Sequence, residues 1–516
     1  MNSRLNSRRL LLLATVLIIS TSGLAYELIA GTMATYLLGQ SVTQFSFATG
    51  WFMAAMGFGS YLTRYIKENL FNILIDVQIV LAVVGGYSAL IMFLAFAYTD
   101  TLYPFFLTLA FLIGTAVGFE IPVLLRIIGK YRVLSLAVSD VFTFDYIGAL
   151  FASIAFPLFV LPYMGLIRSS MLFGIMNLSA AFIILSINRK EIKKTKEYAL
   201  YFAAILLILG FIFSGFLTSW IEGVLYQDPV VTSKETKYQR IVITKWKDDT
   251  RLFLNGNLQF SSRDEARYHE SLVHIPITYL KKAPETVVVL GGGDGLVIRE
   301  VLKYPTLKKV ILVELDQDMI QLFKEHPFLK KINDFSLSSR KLEIVYGDAF
   351  HWMKTLGEDI QFDLIISDLP DPNSYSLSKL YTVSFYLYIF KHLKSEGIFV
   401  TQATSATFSP GAFWCINNTI QFASKIRYGT AWKTLPYHTY VPSFGDWGFI
   451  MTSKEELNVA KNRKLSVQTR FLNDSLISGL FQFSKDILPV EDLPVNKMND
   501  PVLVKLYSQS WHRWYQ

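Results

Sequence analysis

A single cysteine, Cys415, serves a chain of 516 residues. One thiol excludes an intrachain disulfide and any metal site built from clustered cysteines. His274, His326, His351, His392, His438 and His512 are scattered without metal-ligand spacing, so no metal is expected. Charged residues make up only 17% of the chain. The formal net charge is +8, yet no basic-aromatic stripe or nucleic-acid motif is present, so nucleic acid is not an expected partner. Internal repeats, low-complexity tracts and linkers rich in proline and glycine are missing too.

Hydrophobic sequence is abundant, at 52% of residues. It is concentrated before about residue 220, in seven segments at roughly 10–30, 43–63, 73–98, 103–125, 134–161, 168–187 and 198–219. Each approaches or exceeds the ~20 residues that cross a bilayer as a helix. The first runs too far apolar and lacks a small-residue cleavage site, so it reads as a retained span rather than a signal peptide. Basic residues gather in alternate connections: Arg8 and Arg9, Arg64 and Lys67, Arg126 with Lys130 and Arg132, and the run from Arg189 to Lys196. That asymmetry places the N-terminus inside. Seven crossings from there would deliver the rest of the chain outside.

The expected domains are a membrane domain at 1–222, a small antiparallel β unit at 223–265, an α/β domain at 266–455 and a helical extension at 456–516. Strand-like pieces at Tyr238–Trp246 and Arg251–Leu254 form the β unit, and Ala266–Leu280 reads as a helix. Strands at Thr286–Leu290, Lys309–Glu314, Leu342–Tyr346, Asp363–Ser367 and Gly397–Gln402 then alternate with segments of helix length. Alternation of that kind predicts a Rossmann-like, doubly wound parallel sheet, which binds ligands at the carboxyl ends of its strands.

The first of these strands runs into VVVLGGGDGLVIREVLKY, residues 287–304. A glycine turn between a strand and a helix lets backbone approach a nucleotide-like ligand. Gly291 and Gly293 sit in that turn, and so does Asp294. A carboxylate is misplaced in a pyrophosphate cradle, so Asp294 points to a ligand carrying positive charge. Glu314 ends the second strand, where a carboxylate can accept from both hydroxyls of a ribose. Leu296 replaces the last glycine of the dinucleotide fingerprint, which favours an adenosine-type ligand over NAD. Asp348 follows the third strand, placed to accept from an adenine amino group; helix capping would explain it and Glu314 equally well. Asp368 and Asp371 lie in SDLPDPNS after the fourth strand, where two acids can face one cationic ligand and one can take its proton. A plain turn is the simpler reading of that loop alone.

In order, YQRIVI, LNGNLQFSSRDEARYHE, VVVLGGGDGLVIREVL, VILVELD, YGDAF, DLIISDLPDP, LYTVSFY and FVTQATS resemble the spermidine synthase (polyamine aminopropyltransferase) family over roughly residues 225–455. The apolar half, including GLAYELIAGTMATYLLGQS, resembles its membrane-bound members. The resemblance implies a class I methyltransferase-like fold and transfer of an aminopropyl group from decarboxylated S-adenosylmethionine to an amine, most often putrescine. No cofactor or metal is implied; the donor is a co-substrate, and a homo-oligomer is common among soluble members. It further implies that Gln239, Glu314, Asp348 and Ala349 hold the nucleoside, with Gln259 beside them. His269 and Asp294 would contact the amine-bearing chains, Asp368 would accept the proton, and Asp371 would sit on the polyamine. Tyr268, Gln402 and Tyr440 also fall where the family lines its site. Two departures touch that site: Tyr375 stands where a nucleoside-contacting proline would be, and Asn255 replaces an aspartate.

Supply of such a donor favours an inner-membrane protein with a cytoplasmic catalytic domain, against the count of seven crossings. A methyltransferase using the same cleft, and a polyamine transporter or sensor, are the other function classes. Glu27, Glu120, Asp140 and Asp145 lie in or at apolar segments. They read either as partners of Arg126 or Arg132 and solvated helix ends, or as a cation pathway.

Overall fold

The computed structural model describes residues 2–38, 41–99, 101–130, 133–226, 228–459, 463–489 and 493–512. Arg132 and the His512 side chain therefore lie outside the described residues. The chain forms two compact units, Met1–Val230 and Val231–Gln516.

The described residues of the first unit are mainly helical: α1 (Asn2–Leu38), α2 (Ser41–Leu62), α3 (Leu70–Val80), α4 (Ser88–Tyr98), α5 (Tyr103–Ile128), α6 (Leu134–Ala155), α7 (Leu161–Asn188), α8 (Lys194–Ile212) and α9 (Ser214–Leu225). A π-helical turn at Leu81–Gly85 precedes α4, and another at Phe156–Val160 joins α6 to α7. Among the described residues, five continuous stretches are long and apolar enough to cross a membrane: Arg8–Leu38, Leu70–Tyr98, Tyr103–Ile128, Leu134–Asn188 and Lys194–Ile212. Two physical reasons separate these five from the seven expected. The α2 helix is richer in polar and small residues and falls outside the five. The stretch 134–188 covers two of the expected segments, and at 55 residues it would extend about 80 Å if straight, against a hydrocarbon core of about 30 Å. It is broken at Gly165, whose φ of 68° and ψ of 177° are not helical.

Contacts within this unit order the helix ends. Arg9 pairs with Asp140 at 2.8 Å, Arg126 donates to the carbonyls of Thr63 and Lys67, and Lys196 pairs with Asp76. Asn72 binds the backbone of Glu191 and Lys193. These pairs gather the basic connections at one end of the bundle. Gln44 with Tyr103, and Arg168 with Ser214, mark the other. The α8 helix thus starts at the basic end and leads away from it, which preserves the tension between loop charge and substrate supply.

In the second unit, β1 (Val230–Glu235), β2 (Arg240–Trp246), β3 (Asp249–Leu254) and β4 (Asn257–Ser261) form a four-stranded sheet in sequential order, with β2–β3 and β3–β4 antiparallel. Helix α10 (Glu265–Ile277) follows. Then come β5 (Thr286–Gly291), α11 (Leu296–Val301), β6 (Lys309–Glu314), β7 (Leu342–Tyr346), β8 (Phe362–Asp368), β9 (Leu393–Gln402), β10 (Thr434–Val441) and β11 (Gly445–Ser453). They order as β10-β11-β9-β8-β5-β6-β7. The five expected strands are present within a few residues. The antiparallel pair β10–β11 was not expected and adds an edge to the parallel sheet. Val287 to Leu290 are fully buried between two apolar layers, one under α10 and α11 and one under the helices on the opposite face. Residues 463–489 hold only short helical turns, and a final helix spans Val502–His512. Trp414 and Trp432 are buried, while Trp447 is half-buried.

Candidate active site

The glycine turn is wedged between two strand ends. Gly291 pairs in register with Asp368 across β5 and β8. A Cβ at Gly291 would lie 2.2 Å from the Asp368 carbonyl oxygen, and its φ is 81°. A Cβ at Gly293 would lie 2.9 Å from a Glu314 carboxylate oxygen. A side chain at Gly291 would strike backbone and one at Gly293 would displace the Glu314 carboxylate, so glycine leaves open backbone between the acids that end β8 and β6. Asp294 stays 8% exposed; its carboxylate accepts from Leu296 N at 2.9 Å, and its carbonyl from Asn333.

Asp368 is partly buried and accepts from the Tyr268 hydroxyl at 2.6 Å. Tyr268 is seated by Phe449, Phe444 and Trp447. Its α10 neighbour His269 is 3% exposed and shares Nδ1 with the Glu265 carboxylate at 2.8 Å. Glu265 also takes Arg299 in a bidentate pair, at 3.0 and 2.9 Å, and a hydrogen bond from Arg470. Asp371 accepts from the Tyr507 hydroxyl at 2.9 Å, from Thr404 at 3.3 Å and from Gln402 at 3.5 Å. Gln402 also donates to the Leu369 carbonyl and accepts from Thr404 N. Thr404 holds a φ of 60°, an outlier for a β-branched residue and one that clusters at functional sites.

Electrostatics follow from this geometry. Burial raises Asp294 to about 6; His269 opposes and Asp368 adds to the shift. Burial raises Asp371 to about 6, with its three donors opposing. Burial also raises Asp368, while His269 and Tyr268 favour its charged form. Asp368 and Asp371 lie three residues apart on one loop. They hold separate donor sets, and burial rather than a shared proton lifts Asp371. Burial disfavours a charged His269, but Glu265 outweighs it and the imidazole is raised.

Glu314 accepts from Asp316 N at 2.9 Å and is raised to about 7 by burial. Gln239 donates at 2.9 Å to Asp316, the residue whose N–H binds Glu314. Asp348 caps the helix Ala349–Thr355 through His351 N and pairs with Lys379 at 2.6 Å, so capping is part of its work. Ala349 is buried beside it. Tyr375 is 53% exposed, and Asn255 accepts from Arg240 N within the turn after β3. Gln259 turns its amide to the Asn257 carbonyl, and Tyr440 is 61% exposed; neither bonds to the acids among the described residues. Sequence reasoning missed Tyr507, Thr404, Tyr381 and the Glu265–Arg299–Arg470 network. Tyr381, whose hydroxyl donates to the Pro370 carbonyl at 3.0 Å, lies in the quoted LYTVSFY motif, which was the available signal.

Residues 265–464 match the family model described as spermine/spermidine synthase domain. A protein of Leptospira interrogans named polyamine aminopropyltransferase is 42% identical over 505 residues, covering 97% of this chain and 98% of its own. The chain belongs to the polyamine aminopropyltransferase family. A second aminopropyltransferase, from Ralstonia nicotianae, is 39% identical over 519 residues, covering 98% of this chain and 99% of its own. A solved spermidine synthase in complex with the transition state analogue AdoDATO aligns over 49% of this chain and 85% of its own, at 26% identity and a TM-score of 0.44. The chain is an aminopropyltransferase that moves the aminopropyl group of decarboxylated S-adenosylmethionine to a polyamine acceptor.

Proposed function

We propose that the acceptor is putrescine, giving spermidine and methylthioadenosine, with Asp368 taking the proton from the attacking amine. The observation that carries this reading is the set of Asp294, Asp368 and Asp371 at the carboxyl ends of β5 and β8, held by Tyr268, Tyr507 and Gln402. The donor's sulfonium already activates the carbon under attack. The obstacle is the acceptor, because a primary alkylamine with a pKa near 10.4 is unprotonated in only about one molecule in 10³ at neutral pH. A carboxylate beside the attacking nitrogen relieves it of that proton as the new carbon–nitrogen bond forms. Asp371 holds the acceptor's far ammonium, and Gly291 and Gly293 let the backbone close on the nucleoside. Glu314, with Gln239 behind it, takes the ribose hydroxyls. Asp348 takes the adenine amino group by sharing or giving up Lys379. His269, kept in place by Glu265, supports the charged forms of Asp294 and Asp368. The membrane unit tethers the enzyme to the inner membrane.

In this reading Asp294 faces the donor's ammonium. Ordinary S-adenosylmethionine brings a carboxylate to the same place and meets like charge where solvation is poor. Asp294→Ala is expected to narrow the preference in kcat/KM for the decarboxylated donor by about tenfold or more, a change of ~1.4 kcal/mol. Competition assays offering both donors measure this, and an unchanged preference would remove Asp294 from donor selection.

The acids also set a pH profile. Asp371, which faces the acceptor, and Asp294, which faces the donor's ammonium, are both raised to about 6 and attract cations only in their ionised forms. The kcat/KM for the amine should therefore fall as pH drops through about 6. The donor profile should fall earlier, near 7, where Glu314 takes a proton. Steady-state kinetics with each substrate varied separates the two; one common inflection would contradict the assignment. Folding linkage has the opposite sign. Acids with raised pKa contribute stability that is complete below ~3.9 and lost as pH rises through about 6.

A further inference from the structure

The membrane unit carries a polar cluster that aminopropyl transfer does not use. Ser22 and Tyr26 on α1, Gln78 in α3, Glu120 on α5 and Asn177 on α7 are all at most 1% exposed. Gln78 donates to Glu120 at 2.6 Å, and Ser22 to Asn177 at 2.6 Å. Tyr26 donates to the Leu81 carbonyl at 3.0 Å, at the head of the π-helical turn. Such turns recur at functional sites. Glu120 has no ion pair among the described residues; Arg126, a candidate partner from sequence, is spent on the backbone of Thr63 and Lys67.

Gln78 Oε1 is buried and unpartnered, and the Asn177 amide faces the Tyr26 phenol without a well-formed hydrogen bond. Turning the Gln78 amide over does not help, because one of its ends is unpartnered in either orientation. A carboxylate buried among apolar helices without a basic partner is costly. A cationic occupant removes that cost and supplies donors.

We propose that Glu120, Gln78 and Tyr26 form a binding site for a protonated alkylamine inside the membrane unit. An ammonium presents three N–H donors. The two Glu120 carboxylate oxygens and the free Gln78 amide oxygen supply three acceptors, with the Tyr26 phenol beside them. A hard divalent cation would take six or more oxygens, which the cluster lacks. Asp145 on α6 is half-buried, its carbonyl accepting at 2.6 Å from Ser20, two residues before Ser22 on α1, and it provides a second carboxylate for the far end of a diamine.

The test uses the full chain in nanodiscs of zwitterionic lipid, with radiolabelled putrescine in equilibrium dialysis. Wild type should bind two equivalents, one in each unit. Glu120→Gln should bind one and keep its aminopropyl transfer rate. Gln78→Leu should weaken the same equivalent about tenfold. Asp371→Asn should lose the other equivalent, so failure at the catalytic site is told apart from failure here. A wild type that binds one equivalent, or a Glu120→Gln protein that still binds two, overturns the proposal. So does a pH-dependent proton uptake abolished by Glu120→Gln without loss of an amine equivalent, since the occupant is then a proton only.

Discussion

Asp368→Asn should lower kcat by about 10²- to 10⁴-fold, the contribution of a positioned proton acceptor, equivalent to roughly 3–5 kcal/mol of barrier. The substitution is nearly isosteric. Its amide oxygen still accepts from Tyr268, whose hydroxyl lies 2.6 Å from the native carboxylate. The backbone at 368 still pairs with Gly291, so the glycine turn keeps its place. Nucleoside affinity should therefore hold within a few fold, measured by calorimetry with methylthioadenosine. The residual rate carries the sharper signature. Once the enzyme no longer takes the proton, only pre-deprotonated amine reacts. The variant's rate should climb about tenfold per pH unit toward the amine's pKa near 10.4, while wild type stays level. Full activity at neutral pH, or a flat residual rate, would take the proton-acceptor role from Asp368.

Glu265→Gln should cost the second unit about 3–5 kcal/mol, because it breaks a buried ion pair by removing one partner. Glu265 is 1% exposed and bridges Arg299, Arg470 and His269. Burial works against its charge, but His269 and Arg299 outweigh burial and hold the carboxyl well below the usual range. Without that charge Arg299, only 10% exposed, keeps Glu300 as its carboxylate partner. Calorimetry of the full chain should show the catalytic transition lower by roughly 6–20 °C. Because the folded pKa is lowered, the contribution is present above the unfolded value near 4.3 and lost as pH falls through the folded one. The difference between variant and wild type should thus shrink in acid. A loss under about 1 kcal/mol would mean that the two arginines find solvent instead.

Much of this was legible before folding. The strand ends were readable because each apolar run stops at a glycine or an acid: Leu290 before Gly291, Val313 before Glu314, Ser367 before Asp368. Burial on both faces makes such runs continuous, and their carboxyl ends are where this sheet binds. Tyr507 was not legible, since it reaches Asp371 from a helix more than a hundred residues away, through tertiary contact alone. The β10–β11 pair was hidden by polar and aromatic residues that break the apolar pattern, among them His438, Asp446 and Trp447. In the membrane unit, hydropathy located the segments. It could not foresee that Gly165 divides one continuous apolar stretch by its backbone angles.

Cys415 is fully buried in the helix Pro410–Tyr428, and burial pushes its thiol up to about 12. A thiol so protonated and enclosed is chemically silent toward maleimides, so the native chain is already a blank for accessibility labelling. Lys130, at the basic end of the bundle, and Asp359, on the catalytic unit, are both exposed. A single cysteine at either one becomes the sole reporter in intact cells. Impermeant reagent reaching both or neither means an even number of crossings; reaching only one means an odd number. Two single substitutions in an otherwise native protein thus identify the compartment in which the polyamine is made.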